Sequence, residues 1–186
     1  MSAYKPDDRQ QVIGMQMEEP DKNIKIIGDN NMDEIFKVRV EDIQPKHKSE
    51  HTQYEYFRRS LVPKDIAKQC AVSVYEIPPG KSSYPYHYHT KNEETYYIIS
   101  GKGTVKTPEG NMEVSSGDFV FFPANERGAH KLTNSSETEM LMYIDFDTYN
   151  DIDVTFYPDS GKIGVWGKNI NKLFKTEHEV EYYDGE

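Results

Sequence analysis

The stretch SYPYHYHTKNEETYYIISG, Ser83 to Gly101, holds the residues of this sequence best suited to chemistry. His87 and His89 stand one residue apart, interleaved with Tyr84, Tyr86 and Tyr88. On a strand, side chains at i and i+2 share a face, so the two imidazoles can meet one metal ion while the tyrosines point the other way. Glu94 opens the next apolar run, and a hairpin through Thr90, Lys91 and Asn92 brings its carboxylate beside the imidazoles. A second block, GDFVFFPANERGAHKLTN from Gly117 to Asn134, puts His130 on a new strand after Pro123. His87, His89, Glu94 and His130 are therefore the expected ligands of one divalent ion. Three imidazoles and a carboxylate suit zinc, iron, nickel, manganese or cobalt. An octahedral ion so held keeps two positions for water or for a substrate with adjacent oxygens.

The elements that must position these residues read as short strands. CAVSVYEI, YPYHYH, ETYYIIS, TVKT, MEVS, FVFF, HKLT and MLMYIDF are separated by Gly, Pro, Asn, Asp and Ser turns, with no useful helical periodicity. The pattern predicts a closed or sandwiched antiparallel all-β structure. Upstream, FKVRV (Phe36–Val40) alternates like a strand, and QPKHKSEH (Gln44–His51) reads as a loop with solvated His47 and His51. Downstream, DVTFYPDSGKIGVW predicts two strands around a Pro-Asp-Ser-Gly turn. The acidic EHEVEYYDGE is a final strand or a frayed end, with His178 on the surface. No block is repeated, so one barrel is expected.

Composition narrows the partners. The 186 residues carry 22 Lys and Arg against 32 Asp and Glu, a net charge of −10. Nucleic acid and anionic membranes are disfavoured by that charge. No apolar run is long enough to span a bilayer, and the first residues lack a hydrophobic signal-type stretch, so the expected address is the cytoplasm. Cys70 is the single cysteine, expected as a small buried residue of a strand.

The two blocks resemble the two motifs of the cupin superfamily. The first matches at Gly80, His87, His89, Glu94 and Gly101, the second at Gly117, Pro123, His130 and Asn134. Asn125 stands where a glycine is usual, and Gly128 lengthens the path from Pro123 to His130. The resemblance implies a double-stranded β-helix, a jelly-roll-like barrel, over residues 68–147. An N-terminal arm with strands packing on the barrel or a partner (1–67) and a C-terminal extension (148–186) complete the expected layout. The chain looks most like small single-domain bacterial cupins, a group loosely similar to sugar-phosphate isomerases. Glu93 and Glu94 are neighbours, so only one faces inward. The spacing to Gly101 favours Glu94, with Tyr96 and Ile98 on its face and Glu93, Thr95 and Tyr97 outside.

Three functions follow as expectations. A metalloenzyme would isomerise or epimerise a small oxygenated, sugar-like molecule, with Tyr96 as an inward-facing proton donor; no further carboxylate stands out as the base. Lys81, Lys91 and Arg127 in loops would serve a phosphate. An iron-dependent dioxygenase would need an apolar pocket, for which Phe119, Phe121, Ile98 and Met142 are candidates. A ligand-binding or sensing protein would need the site without the chemistry. A small molecule is the expected partner, and a homodimer is expected from Tyr84, Tyr86 and Tyr88 as an outer patch that a second subunit covers.

Overall fold

Period-two alternation of more and less buried side chains marks several of the described strands. The computed structural model describes residues 35–62 and 68–186. Its strands are β1 (Lys46–His51), β2 (Tyr54–Val62), β3 (Cys70–Ile77), β4 (Tyr88–His89), β5 (Glu94–Ser100) and β6 (Lys102–Thr107). There follow β7 (Gly110–Ser115), β8 (Phe119–Phe122), β9 (Lys131–Asn134) and β10 (Leu141–Thr148). The last three are β11 (Ile152–Tyr157), β12 (Lys162–Gly167) and β13 (Ile170–Lys175). No α-helix occurs among the described residues, only short 3-10 turns.

Three antiparallel sheets result. One has the order β1-β2-β3-β10-β5-β8, one β13-β12-β11-β4, and one β7-β6-β9. Between them lies a core of Tyr75, Ile77, Tyr96, Ile98, Val105, Val114, Phe122, Leu132, Leu141 and Tyr143. Inward and outward sets separate as the pleat requires. On β5, Glu94, Tyr96 and Ile98 are buried while Tyr97 and Ile99 are exposed. The β5–β6 corner turns at Gly101, whose φ is +83°. A Cβ there would lie 2.5 Å from the carbonyl oxygen of Met140, so only glycine fits the close approach.

Several expectations are corrected. Phe36–Val40 forms no strand, whereas Lys46–His51, expected as loop, is β1 and pairs with β2. His47 and His51 are exposed, as expected, although the His47 ring also stacks on Phe57 at 4.3 Å and its Nε2 lies 3.2 Å from Glu55 Oε1. YPYHYH is not one strand; Pro85 has no N–H for a ladder, only Tyr88 and His89 form a strand, with β11, and His87 makes an isolated bridge to His130. Cys70 is half-buried.

The three tyrosines do not form an outer patch. The Tyr84 ring packs against Tyr56 and Tyr75, with its hydroxyl 3.0 Å from that of Tyr75. Tyr86 is buried under the Lys106 ammonium, 4.2 Å from the ring centroid. Tyr88 stacks on Phe156 at 5.1 Å. On β8 the inward residues are Val120 and Phe122, while Phe119 and Phe121 are 66% and 50% exposed and line no inner pocket. The expected N-terminal arm lies outside the described residues for positions 1–34, and so does the stretch 63–67.

Candidate metal centre

Two short elements deliver the imidazoles. His87 and His130 exchange backbone hydrogen bonds, His87 N to His130 O at 3.1 Å and His130 N to His87 O at 2.9 Å. This bridge sets both side chains on the same side of the backbone. His89 sits in β4, opposite Thr155 of β11. Glu94 begins β5, across from Phe122 on one side and Asp147 on the other.

The four side chains meet. Glu94 Oε2 lies 3.6 Å from His87 Nε2, 3.4 Å from His89 Nε2 and 3.2 Å from His130 Nε2. The ligand atoms of His87, His89 and Glu94 all fall within 4.8 Å of one another. His130 reaches this trio through Glu94, and its Nε2 also accepts from the Tyr96 hydroxyl at 3.0 Å.

Every Nδ1 is committed elsewhere. His87 Nδ1–H donates to the Pro85 carbonyl at 2.8 Å, and His130 Nδ1–H to the Gly128 carbonyl at 2.9 Å. His89 Nδ1–H donates to Asp153 Oδ2 and lies 3.1 Å from Thr155 Oγ1. With each proton held on Nδ1, all three Nε2 atoms carry a lone pair beside the one carboxylate, that of His130 being shared with the Tyr96 hydroxyl. Ligand atoms about 2.1 Å from an ion sit roughly 3.0–3.4 Å apart around it, so this donor set fits a divalent metal.

Electrostatics agree with neutral donors at two positions. Burial, and then the neighbouring imidazoles, hold His87 well below the ordinary 6.5. Burial brings His130 down to about 3. For His89 burial also lowers the value, but the charge of Glu94 and the bond and charge of Asp153 outweigh it, so it is raised. Burial, then the Glu94 charge, holds the Tyr96 phenol well above 10.

Further groups here escaped the sequence reading. Glu94, Asp145 and Asp147 have carboxylate oxygens within 4.8 Å of one another. Carrying the inward face of β10 along Tyr143-Asp145-Asp147 was the signal that could have found the two aspartates. Tyr157 stacks on the His87 ring at 5.8 Å, and burial followed by the Glu94 charge raises its phenol to about 12. Nothing local in the sequence pointed to Asp153. The loop cations do not converge: Lys81 Nζ donates to Thr52 O at 2.6 Å, while Lys91 and Arg127 are exposed. A cleft of about 390 Å³ beside Met112, Phe121 and Arg127 touches none of the four converging residues.

Parts of the chain are similar to known proteins. Residues 73–146 match the family model described as Cupin_2, the cupin domain. An uncharacterized protein of Methanocaldococcus jannaschii is 34% identical over 77 residues, 41% of this chain, and the match spans 60% of that relative's length. A presumed sugar phosphate isomerase from Acidithiobacillus ferrooxidans superposes with a TM-score of 0.68 at 26% identity, over 77% of this chain and 94% of its own. A cupin-superfamily sugar phosphate isomerase from Silicibacter pomeroyi gives 0.67 at 17% identity, over 80% and 98%. The polyketide cyclase RemF from Streptomyces resistomycificus gives 0.53 at 20%, over 62% and 80%. The last two likenesses concern the fold alone. No described helix is long and apolar enough to cross a membrane.

Proposed function

We propose that this chain, which matches the cupin domain model over residues 73–146 and has an all-β double-stranded β-helix fold, is a metal-dependent enzyme that isomerises or epimerises a small sugar-like molecule. The observation that carries this reading is the convergence of three Nε2 atoms, each with its Nδ1 proton tied down, on Glu94 Oε2. His87, His89, Glu94 and His130 would hold the ion. When bound, it supplies positive charge that polarises a carbonyl oxygen of the substrate.

The chain's own residues then move the proton. Asp147, opposite Glu94 in the ladder, is the base that takes a proton from the carbon beside the carbonyl and returns it to the adjacent carbon. Asp145, buried one inward position away on β10, has a carboxylate oxygen within 4.8 Å of those of Glu94 and Asp147. Tyr96, which keeps its phenolic proton at neutral pH on the His130 side, gives that proton to the carbonyl oxygen as the enediol forms and takes one back from the neighbouring hydroxyl as the new carbonyl forms. The interior is rich in carboxylates and phenols, and Phe119 and Phe121 face away from it, which favours this chemistry over dioxygenation. The presumed sugar phosphate isomerase from Acidithiobacillus ferrooxidans, 26% identical, supports the same reading.

Solvent hydrogen exchange into a panel of hydroxy-carbonyl sugars tests the reading. Exchange without oxygen uptake, lost in His89→Ala, is the expected result. Stoichiometric oxygen uptake by the iron-loaded protein would replace it with the dioxygenase, and binding without turnover with a sensing module.

We also propose a homodimer, through the outer face of β5, β8 and β10. There Tyr97 pairs with Phe119, and Thr95 lies between Phe121 and Phe146, leaving four large apolar side chains exposed side by side. A second copy, presenting the same apolar strip about a two-fold axis, is the occupant that fits. Light scattering at micromolar concentration that finds only a 21.6 kDa species refutes it.

A further inference from the structure

The C-terminal sheet makes a contact that the motif residues alone do not explain. Asp153, at the start of β11, is 2% exposed. A carboxylate so buried must be fully bonded to be tolerated. Its Oδ1 accepts from the backbone N–H of Lys91 at 2.9 Å and of Asn92 at 3.3 Å. Its Oδ2 accepts from His89 Nδ1 and from the Thr155 hydroxyl, the latter at 3.4 Å. One side chain thus holds both His89 and the loop that leads from it to Glu94.

The surroundings fix that carboxylate in turn. Thr155, fully buried, accepts from the Trp166 indole N–H at 2.9 Å. Gly164 leaves room for the ring, since a Cβ there would lie 2.6 Å from Trp166 Cζ2. Asn150 Nδ2 donates to Lys91 O at 3.1 Å and to Asn92 Oδ1 at 2.9 Å, clamping the same loop. His87 and His130 use backbone carbonyls two residues away as their Nδ1 acceptors. His89 alone draws a carboxylate, from 64 residues downstream.

Resting on the metal reading given above, we infer that Asp153 is a positioning residue of the metal centre and that the β11–β13 sheet is thereby part of the site. Asp153 keeps the proton of His89 on Nδ1 and aims Nε2 at the ion position. Its charge also makes that ligand more basic than its two neighbours. An asparagine cannot replace it, because its NH₂ group must face either the His89 Nδ1–H or the N–H groups of Lys91 and Asn92.

Zinc and cobalt affinities of the full chain, measured by competition with a chromophoric chelator, test this. Asp153→Asn is expected to bind about 10–100-fold more weakly, with an altered cobalt spectrum. In a His89→Ala background the same change is expected to cost much less, leaving only its hold on the Lys91–Asn92 loop. Wild-type affinity in Asp153→Asn, with only the unfolding temperature lowered, overturns the inference, and so does an equal loss in the His89→Ala background. A loss in His87→Ala without one in Asp153→Asn defeats this inference alone; equal affinity in wild type and His87→Ala defeats the metal reading and this inference together. Should Asp153→Asn fail to fold, Thr155→Val, which removes the hydroxyl donated to Oδ2, carries the same test with a few-fold loss expected.

Discussion

Replacing Gly128 with alanine asks whether the turn before His130 sets the metal centre. A Cβ built on Gly128 would lie 2.0 Å from the Pro123 carbonyl oxygen and 3.0 Å from Pro123 C and N. Ordinary contact begins near 3.4 Å, so the oxygen is about 1.4 Å too close. All three atoms are backbone, and no side-chain rotation relieves the clash. Either the 3-10 turn Glu126–Gly128 or the end of β8 must move by roughly that distance. The Gly128 carbonyl is the Nδ1 acceptor of His130, so the ring moves with it. Overpacking of this kind costs about 1–3 kcal/mol. For a chain of this size that is a fall of roughly 2–12 °C in Tm. Calorimetry of the metal-free protein measures it, and zinc titration should show weaker binding beside it. A Gly128→Ala protein with both Tm and affinity at wild-type values would refute the reasoning.

Other outcomes follow from the same geometry. Elemental analysis should find about one ion per chain in wild type and little in His87→Ala or His89→Ala, and Glu94→Gln should lose more than Glu93→Gln, which sits on the outer face. Asp147→Asn should keep the metal yet lose solvent hydrogen exchange into substrate, whereas retained exchange would remove Asp147 as the base. Metal-free stability should fall as pH drops from about 6.5 to 5. His87 and His130, depressed in the folded state, take up protons only on unfolding in this window, each contributing up to about 1.4 kcal/mol per pH unit. His89, raised, acts with the opposite sign: its contribution is complete below the unfolded value and is lost as pH rises through the folded one, so two imidazoles outweigh one. Equal urea midpoints at pH 6.5 and 5 would contradict this.

Much of the site was legible because its logic is local. Side-chain alternation follows from backbone stereochemistry, so Glu94, Tyr96 and Ile98 had to share a face against Glu93 and Tyr97, and they do. Turn residues marked the ends of β5, β6, β7 and β8 because Gly and Asp adopt the required backbone angles at little cost. The strands β1 and β13 were not legible: KHKSEH is polar and INKLFK does not alternate, and each becomes a strand because a neighbour offers an open ladder edge. The tyrosines misled for a related reason. Alternation predicts that Tyr84, Tyr86 and Tyr88 point away from the histidines but says nothing of what covers them, and Tyr56, Lys106 and Phe156 do so from 28, 20 and 68 residues away. Asp153 is the sharpest case. A surface aspartate and a buried one that fixes a ligand look alike in a sequence, because the difference lies in a hydrogen bond closed across 64 residues by the pairing of β11 with β4.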